Sequence, residues 1–434
     1  MKRILFLLIV CCQACSSPDA ADFIRVKDGK FVRDGKNYYY IGMNFWYGAV
    51  LGSEGRGGDR ERLKKELDIL NANGVNNLRI LVGADGDAGV LSKIEPALQL
   101  APGVYNDTVF KGLDYLLAEM GKRDMHAVLF LTNSWEWSGG FSQYLEWTGH
   151  GKAKVPAVDG WAVFHEYVSA YAGCDTCHRL LKEHIGKVVT RKNSYTGRYY
   201  NEDPTIMSWQ IANEPRAFGD KNKALFEKWM LETARYIKSL APLQLVSTGS
   251  EGEKGCEGDF DLYERIHSNE AVDYYTIHIW PQNWRWLDPQ HVDSTYASVE
   301  EKTKGYIEQH LTLARRANKP LVLEEFGFPR EGFSLSDTSA TAHRDRYYEF
   351  VFRRLLASAD AKDSFAGCNV WAWGGLGRGN ALHLSWRSGD DYTGDPAQEP
   401  QGLNSVFDTD QAVSLVKDYN MRLCNAGENK GVEK

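Results

Sequence analysis

Glu214 and Glu325 are the residues whose type and position best suit chemistry. Glu214 ends a mostly apolar run that starts at Ile206, and it precedes Pro215; Glu325 ends a second such run that starts at Leu321 and is followed within two residues by a glycine. This pattern is typical of a buried parallel strand that opens into a loop. Two carboxyl groups that share a pocket are the minimum equipment for hydrolysing a glycosidic bond.

Other side chains that suit a sugar site also close predicted strands. Arg79 ends one strand, His278 ends another and Trp371 ends a third, while Asn213 directly precedes Glu214. A cation beside a carboxylate keeps that carboxylate charged, and the amide and imidazole can hydrogen-bond sugar hydroxyls. Each residue alone has a structural explanation, as an ion-pair partner or a core residue. Their coincidence on one predicted face indicates function.

Strand and helix patterns alternate along the chain, which predicts a single (β/α)₈ TIM barrel with elaborated βα loops. A doubly wound open sheet is the rival fold, but the first strand is followed by aromatic residues instead of a glycine-rich phosphate loop. The predicted strands are 39–44, 77–81, 127–132, 206–211, 245–248, 274–278, 321–325 and 369–373, and the predicted helices are 59–73, 109–123, 225–240, 299–317, 347–359 and 411–422.

Two further segments have a predicted place in the barrel. Residues 31–40 alternate around Asp34-Gly35, which predicts a β-hairpin before the first barrel strand. Residues 134–172 form a long insertion, which we interpret as an elaborated βα loop on the functional face. The length of the chain is consistent with a single (β/α)₈ barrel, because 434 residues lie within the upper range of that fold.

Composition argues against a nucleic-acid partner and favours a sugar ligand. A net charge of −7 without long basic runs argues against a nucleic-acid partner. The chain contains 13 Trp and 22 Tyr, several of them in polar, Gly-containing stretches. Aromatic faces in loops are suited to the apolar faces of sugar rings.

The first 15 residues are predicted to be a secretory signal. Lys2 and Arg3 precede an apolar stretch, 4–10, and Gln13-Ala14-Cys15 provides the small-residue cleavage context. Cys15-Ser16-Ser17 resembles a bacterial lipoprotein signal, so we expect export and lipid anchoring at Cys15, with plain secretion as the alternative. The predicted organisation is a signal peptide at 1–15, a linker at 16–21, a catalytic domain at 22–425 and a tail at 426–434.

One cysteine motif has three interpretations. Cys174-Asp175-Thr176-Cys177-His178 satisfies the pattern of c-type haem attachment, yet it opens a predicted helix in a large chain. A disulfide between Cys174 and Cys177 and two unpaired thiols are the alternatives. We predict that haem is absent, because no other feature supports it.

In the candidate site residues and their neighbouring segments, the chain resembles the glycoside hydrolase family 5 enzymes of clan A, and within them subfamily 7, the β-1,4-mannanases. The resemblance runs from about Phe23 to Cys424, and Asn213-Glu214-Pro215-Arg216 is typical of the mannanase branch. The matching segments are 78–80, 132–140, 209–216, 278–281, 324–327 and 369–374.

The resemblance implies a role for each site residue. Glu214 would be the acid/base and Glu325, rather than Glu324, the nucleophile. Strand alternation agrees that only one of these two consecutive residues can face the pocket. Arg79 would lie near the nucleophile and Asn213 at the sugar 2-hydroxyl.

The resemblance also implies three groups that bind the substrate. Trp371 would lie under the ring at the cleavage subsite, although Trp373 leaves open which ring forms that floor. Trp135 would stack a sugar on the non-reducing side and Arg216 would bind on the leaving-group side. Many relatives carry His-x-Tyr at the sixth strand, where this chain has His278-Ile279-Trp280. Either Trp280 is a stacking platform, or a group other than the family tyrosine orients Glu325.

The sequence therefore predicts a monomeric, endo-acting, retaining β-1,4-mannanase that uses neither a metal nor a cofactor. Its substrate would be mannan, glucomannan or galactomannan. The alternatives are an exo-β-mannosidase, whose cleft would be closed at one end by a loop, and an endo-β-1,4-glucanase. A non-catalytic glycan-binding lipoprotein is the alternative from another class.

Overall fold

Eight parallel strands form one sheet in the computed structural model, which describes residues 22–427. The strands are β1 Tyr40–Asn44, β2 Asn77–Leu81, β3 His126–Phe130, β4 Ile206–Gln210, β5 Leu245–Ser247, β6 Tyr275–Ile279, β7 Leu321–Phe326 and β8 Phe365–Val370. They pair in the order β5-β4-β3-β2-β1-β8-β7-β6. Nearly every residue in them is buried, because helices cover one face and the other lines the barrel interior.

Backbone hydrogen bonds close the sheet between β5 and β6. The Asp273 N–H donates to the Val246 carbonyl at 2.8 Å, and the His278 N–H donates to the Glu251 carbonyl at 3.2 Å. A closed ring of eight parallel strands is the (β/α)₈ barrel. The predicted fold is thus confirmed, and the open doubly wound sheet is wrong.

Each barrel strand is followed by one helix that packs outside it. The helix after β1 shows why these segments are helical: the Asp59 carboxylate accepts from the Arg62 N–H at its start, and Leu63, Leu67 and Leu70 are buried along one face. The helices are α1 Arg60–Ala72, α2 Asp107–Gly121, α3 Asp175–Val189, α4 Lys223–Leu240, α5 Phe260–Ser268, α6 Val292–Ala317, α7 Ala342–Ala361 and α8 Gln411–Gly427.

The predicted hairpin closes the amino-terminal end of the barrel. Lys30–Arg33 pairs antiparallel with Lys36–Asn37. Phe31 is fully buried and meets the Tyr274 ring edge-on, 5.2 Å between centroids. The opposite end, where the strands terminate, is therefore the open face.

The last strand differs from its prediction. The prediction was 369–373, whereas β8 spans Phe365–Val370 and Trp373–Gly375 pairs separately with Val406–Phe407. The start of β8 is Phe365-Ala366-Gly367, which has no β-branched residue, so its propensity for strand is weak. The α5 helix was not predicted at all, because its nine residues give a short periodic pattern.

The insertion at 134–172 folds into short helices, chiefly Gly140–Trp147 and Trp161–Val168. Gly139 and Gly140 have φ of 87° and 51°, and a Cβ on Gly140 would lie 2.1 Å from the Asn133 carbonyl oxygen. These two glycines allow the insertion to leave β3 close against the site.

Cys174 and Cys177 form a disulfide at the start of α3. The bond uses both sulfur atoms that haem attachment would need, so the haem interpretation and the unpaired thiols are both wrong. Nε2 of His178 instead donates to the Tyr171 carbonyl at 2.9 Å, and the His178 ring stacks on Trp229.

The predicted signal peptide, linker and most of the tail lie outside the described residues. The helix α8 extends to Gly427, which is beyond the predicted domain end at 425. Among residues 22–427, no helix has both the length and the apolar character that crossing a bilayer requires.

Candidate active site

Glu214 and Glu325 meet at the open face. A carboxylate oxygen of each lies within 4.8 Å of the other and of a His278 ring nitrogen. Inverting glycosidases keep their carboxyl groups roughly 6.5–9.5 Å apart, whereas retaining enzymes place them about 5–5.5 Å apart. The observed separation fits direct covalent capture of the sugar.

Glu214 is held in an uncommon backbone conformation directly beyond β4. Its φ is 47°, in the left-handed region, and its N–H donates to the Gly249 carbonyl at 3.0 Å. A residue with a Cβ rarely adopts this conformation unless its surroundings fix it. The turn directs the carboxyl group across the barrel mouth toward β7.

Arg79 organises the nucleophile side of the site. Its guanidinium donates to Glu325, and also to Asn213 Oδ1 at 2.8 Å, Gln210 Oε1 at 2.8 Å and Asn44 Oδ1 at 3.1 Å. The strand register supports this arrangement, because Asn44 on β1 is aligned with Arg79 on β2. Arg79 thus holds the side chains of Glu325 and Asn213 together.

We expect the Arg79→Gln variant to lose activity and to need a higher pH. Arg79 lowers the pKa of Glu325 against the effect of burial, so without it that pKa rises further and the ionised nucleophile forms at higher pH. The acidic limb of kcat/KM should move upward, and kcat/KM at its optimum should fall about 10²- to 10³-fold. Arg79→Lys, which keeps the charge, is the matched control, and an unshifted acidic limb in Arg79→Gln would contradict this role.

Glu214 has a different set of partners. The Trp135 indole N–H donates to its Oε2, and Nδ1 of His278 lies 2.8 Å from its Oε1. Burial lowers the pKa of His278 well below its usual value, so the imidazole is neutral. Trp280 also faces the carboxyl group of Glu214.

The two carboxyl groups titrate as a pair. Burial raises the pKa of Glu214, and it raises the pKa of Glu325 well above its ordinary range. At this separation both cannot be charged without mutual repulsion, so the pair retains a proton. Arg79 donates directly to Glu325, whereas Arg216, the cation that most lowers the pKa of Glu214, is paired with Glu251. We therefore expect the proton on Glu214.

Asn213 and Arg216 extend the site from the loop after β4. The Asn213 amide donates to Asn133 Oδ1 at 3.2 Å. Arg216 forms a bidentate pair with Glu251, at 2.5 and 2.8 Å, and its guanidinium lies 5.1 Å from the Trp135 ring centroid. Arg216 therefore lies on the Glu214 side of the site, and its predicted contact with the leaving group stays a prediction.

Trp371 and Trp280 form an aromatic corner. Their rings meet edge to face at 5.9 Å, and Trp137 meets Trp371 at 6.4 Å. Trp373 is fully buried, and its indole donates to Glu66 at 3.2 Å. The floor therefore belongs to Trp371. With Trp280 against this ring, Arg79 and His278, whose Nδ1 is 3.4 Å from Glu325, orient the nucleophile.

Glu324 also points into the barrel. Ile277 is aligned with Leu323 and His278 with Glu325, so Glu324 is the extra residue of a β-bulge. Its Oε2 lies 4.0 Å from Arg79 Nε. Because the bulge interrupts the alternation of side chains, alternation gives no reason why only one of the two glutamates should face the pocket.

Several groups near the proposed site residues were missed by sequence reasoning. Asn44, Gln210 and Glu251 lie at or just beyond strand ends, so the rule that selected Glu214 also applies to them. Glu399 gave no such signal, because it lies far from any barrel strand, in the loop between β8 and α8. Burial raises its pKa well above its ordinary range, and the Asn404 and Trp371 side chains moderate the rise.

Comparison with known proteins agrees with this geometry. The family model described as glycoside hydrolase family 5, β-mannosidase-like, matches residues 21–428. The chain therefore belongs to glycoside hydrolase family 5, and it is a glycoside hydrolase.

Curated relatives and solved structures are similar over most of the chain. Mannan endo-1,4-β-mannosidase 1 of Solanum lycopersicum is 30% identical over 380 residues, covering 85% of this chain and 86% of the relative. The family 5 mannosidase of Rhizomucor miehei is 34% identical, with a TM-score of 0.86, over 94% of this chain and 99% of that structure. The endo-β-1,4-mannanase of Thermotoga petrophila is 23% identical with a TM-score of 0.66, over 92% of this chain and 79% of that structure, and shows the shared fold alone.

Proposed function

We propose that this enzyme is an endo-acting, retaining β-1,4-mannanase that cleaves mannan, glucomannan or galactomannan chains. The observation that carries the proposal is the close pair of carboxyl groups with unlike partners, a guanidinium on Glu325 and an indole and a neutral imidazole on Glu214. The names of the mannan-cleaving relatives support the choice of substrate. The Asn213-Glu214-Pro215-Arg216 segment supports placement in subfamily 7.

The geometry suits a double displacement. Glu325 attacks the anomeric carbon while Glu214 gives its proton to the departing oxygen, and the nucleophile becomes neutral in the glycosyl-enzyme. Loss of that negative charge lowers the proton affinity of Glu214, so Glu214 then acts as a base toward water. Water attacks from the face that the leaving group vacated, and the configuration is retained.

The test is incubation with linear mannan, glucomannan and cellulose, with the sizes and anomeric form of the products followed over time. We expect a spread of manno-oligosaccharides, initially β-configured, and little release from cellulose. Preferential cleavage of cellulose would favour the endo-β-1,4-glucanase instead. Binding of mannan without any cleavage would favour the non-catalytic glycan-binding lipoprotein.

The exo-β-mannosidase is a second candidate because the insertion covers part of the site. Phe164 lies nearly parallel to the Trp135 ring at 6.2 Å, and Trp161 meets that ring at 5.9 Å. Trp371 is only 2% exposed, so its subsite suits a chain end better than a passing chain. Release of mannose alone from linear mannan would establish exo action.

We also propose that the chain is exported, lipid-anchored at Cys15 and monomeric. The support is the residue pattern at 1–17, with Cys15 followed by two serines. Incorporation of labelled fatty acid in bacterial cells, absent in Cys15→Ser, tests the anchor. Sedimentation of the chain without residues 1–21 tests the monomer.

A further inference from the structure

Two buried polar atoms inside the barrel face each other without a hydrogen-bond partner. They are Oε2 of Glu324 and Nε2 of His278, which lie 4.0 Å apart. Both residues are almost completely shielded, at 1% and 0% exposure. Buried polar groups are nearly always paired, and a small side-chain rotation would bring these two into direct contact.

The other nitrogen of the same imidazole faces the acid/base. Nδ1 of His278 is 2.8 Å from Oε1 of Glu214. A neutral imidazole carries one proton, so one of its nitrogens donates and the other accepts. The group facing Nε2 therefore decides whether Glu214 meets a donor or an acceptor.

We propose that Glu324 is a positioning residue for the acid/base, exchanging a proton with Glu214 through the His278 imidazole. The exchange interconverts two states that hold the same two protons. In the acid state Glu214 is protonated and donates to Nδ1, while Nε2–H donates to ionised Glu324. In the base state Glu324 is protonated and donates to Nε2, while Nδ1–H donates to ionised Glu214.

The exchange balances without any other reactant. Glu214 gives its proton to Nδ1 as Nε2 gives its own proton to Glu324, and no net charge leaves the three groups. The acid state is the one required for leaving-group departure, and the ionised Glu214 of the base state is the one required for water activation. The proposal rests on the proposed function only in its assignment of Glu214 as acid/base.

The far side of the Glu324 carboxyl is fixed. Its Oε1 accepts from the Gln210 amide and from the Tyr274 hydroxyl at 3.3 Å, which leaves Oε2 directed at His278. The other charged or titratable groups facing Glu324 or His278 are Arg79, Tyr40, Tyr263, Arg216, Glu251 and Glu325.

Proton affinities agree with this geometry. Burial raises the pKa of Glu324 to about 7, with Arg79 opposing the rise. Burial also keeps the pKa of His278 well below its usual value. A carboxyl that gains and loses its proton near neutrality beside a neutral imidazole can share a proton with little cost.

The Glu324→Gln variant tests the proposal by its pH profile on mannotriose. Glutamine keeps the shape but cannot ionise, so His278 is no longer held as an acceptor for the Glu214 proton. We expect the alkaline limb of kcat/KM to move down by about one pH unit, a tenfold change in proton affinity. Glu66→Gln, which neutralises another fully buried carboxyl group that pairs with Arg62 instead of facing His278, should leave the limb in place.

Two further measurements separate a positioning role from a structural one. With 2,4-dinitrophenyl β-mannoside, whose leaving group needs no proton, Glu324→Gln should show no shift of this limb. Nitrogen NMR of the His278 ring at one fixed pH should show the proton on Nε2 in the free enzyme and on Nδ1 in a trapped glycosyl-enzyme, because loss of the Glu325 charge favours ionised Glu214.

The same His278 tautomer in the free enzyme and the glycosyl-enzyme would overturn the proposal, as would a wild-type pH profile in Glu324→Gln. The NMR experiment needs no variant, so it decides the matter even if Glu324→Gln does not fold. If the wild-type enzyme cleaved no β-mannoside, the proposed function would fail, while a free enzyme with the proton on Nδ1 instead of Nε2 would still overturn the proposal by itself.

Discussion

Glu325→Ala is expected to reduce mannan hydrolysis by on the order of 10⁴- to 10⁶-fold, as removal of a catalytic nucleophile does in other enzymes. The variant lacks the atom that bonds to the anomeric carbon, so no glycosyl-enzyme can form. The loss should appear in kcat on linear mannan and equally on 2,4-dinitrophenyl β-mannoside, because a better leaving group does not replace a nucleophile.

Added azide gives a sharper measurement. Azide can occupy the space that the Glu325 carboxylate leaves and attack from that face, so the product should be the α-mannosyl azide. Glu325→Gln, which fills the same space, should stay inactive with azide present. Residual mannan hydrolysis near the wild-type rate in either folded variant would show that Glu325 is not the nucleophile.

Glu214→Gln has the second largest expected effect, a loss of about 10²- to 10⁴-fold in kcat on mannan. The glutamine cannot supply a proton to the departing sugar or remove one from water. On 2,4-dinitrophenyl β-mannoside the first step needs no proton, so a burst of dinitrophenol should precede slow turnover. Stopped-flow absorbance at the dinitrophenolate band measures that burst.

The contrast between the two substrates is the control for this assignment. In Glu214→Ala, azide should accelerate turnover of the glycosyl-enzyme and yield the β-mannosyl azide, since it attacks from the face vacated by the leaving group. Equal losses on mannan and on the dinitrophenyl substrate, without a burst, would assign Glu214 a role other than proton transfer.

Much of the barrel could be predicted because its strands are buried on both faces. Such strands appear as short apolar runs, and residues 77–81 were predicted with their observed bounds. Polar residues in or at the ends of these runs stand out, which is why Arg79, Glu214, His278 and Glu325 were selected. Arg79 was predicted to end its strand, but it is the middle residue of β2. Topology alone brings those ends together, so no knowledge of distant contacts was needed.

What the sequence did not reveal depends on contacts between distant segments. The inward turn of Glu324 requires a bulge that is defined only by pairing with β6. Glu399 approaches Trp371 because of the path of a long loop, and nothing in its neighbours marks it. The packing of Trp161 on Trp135 likewise arises from the tertiary fold of the insertion.

The left-handed backbone at Glu214 sets catalysis against thermostability at one position. An L-residue in this region pays about 1–2 kcal/mol that glycine avoids, and a shielded carboxyl group adds a desolvation penalty. Glycine here would relieve both burdens but would also remove the proposed proton donor, so this position exchanges stability of the fold for the proposed chemistry.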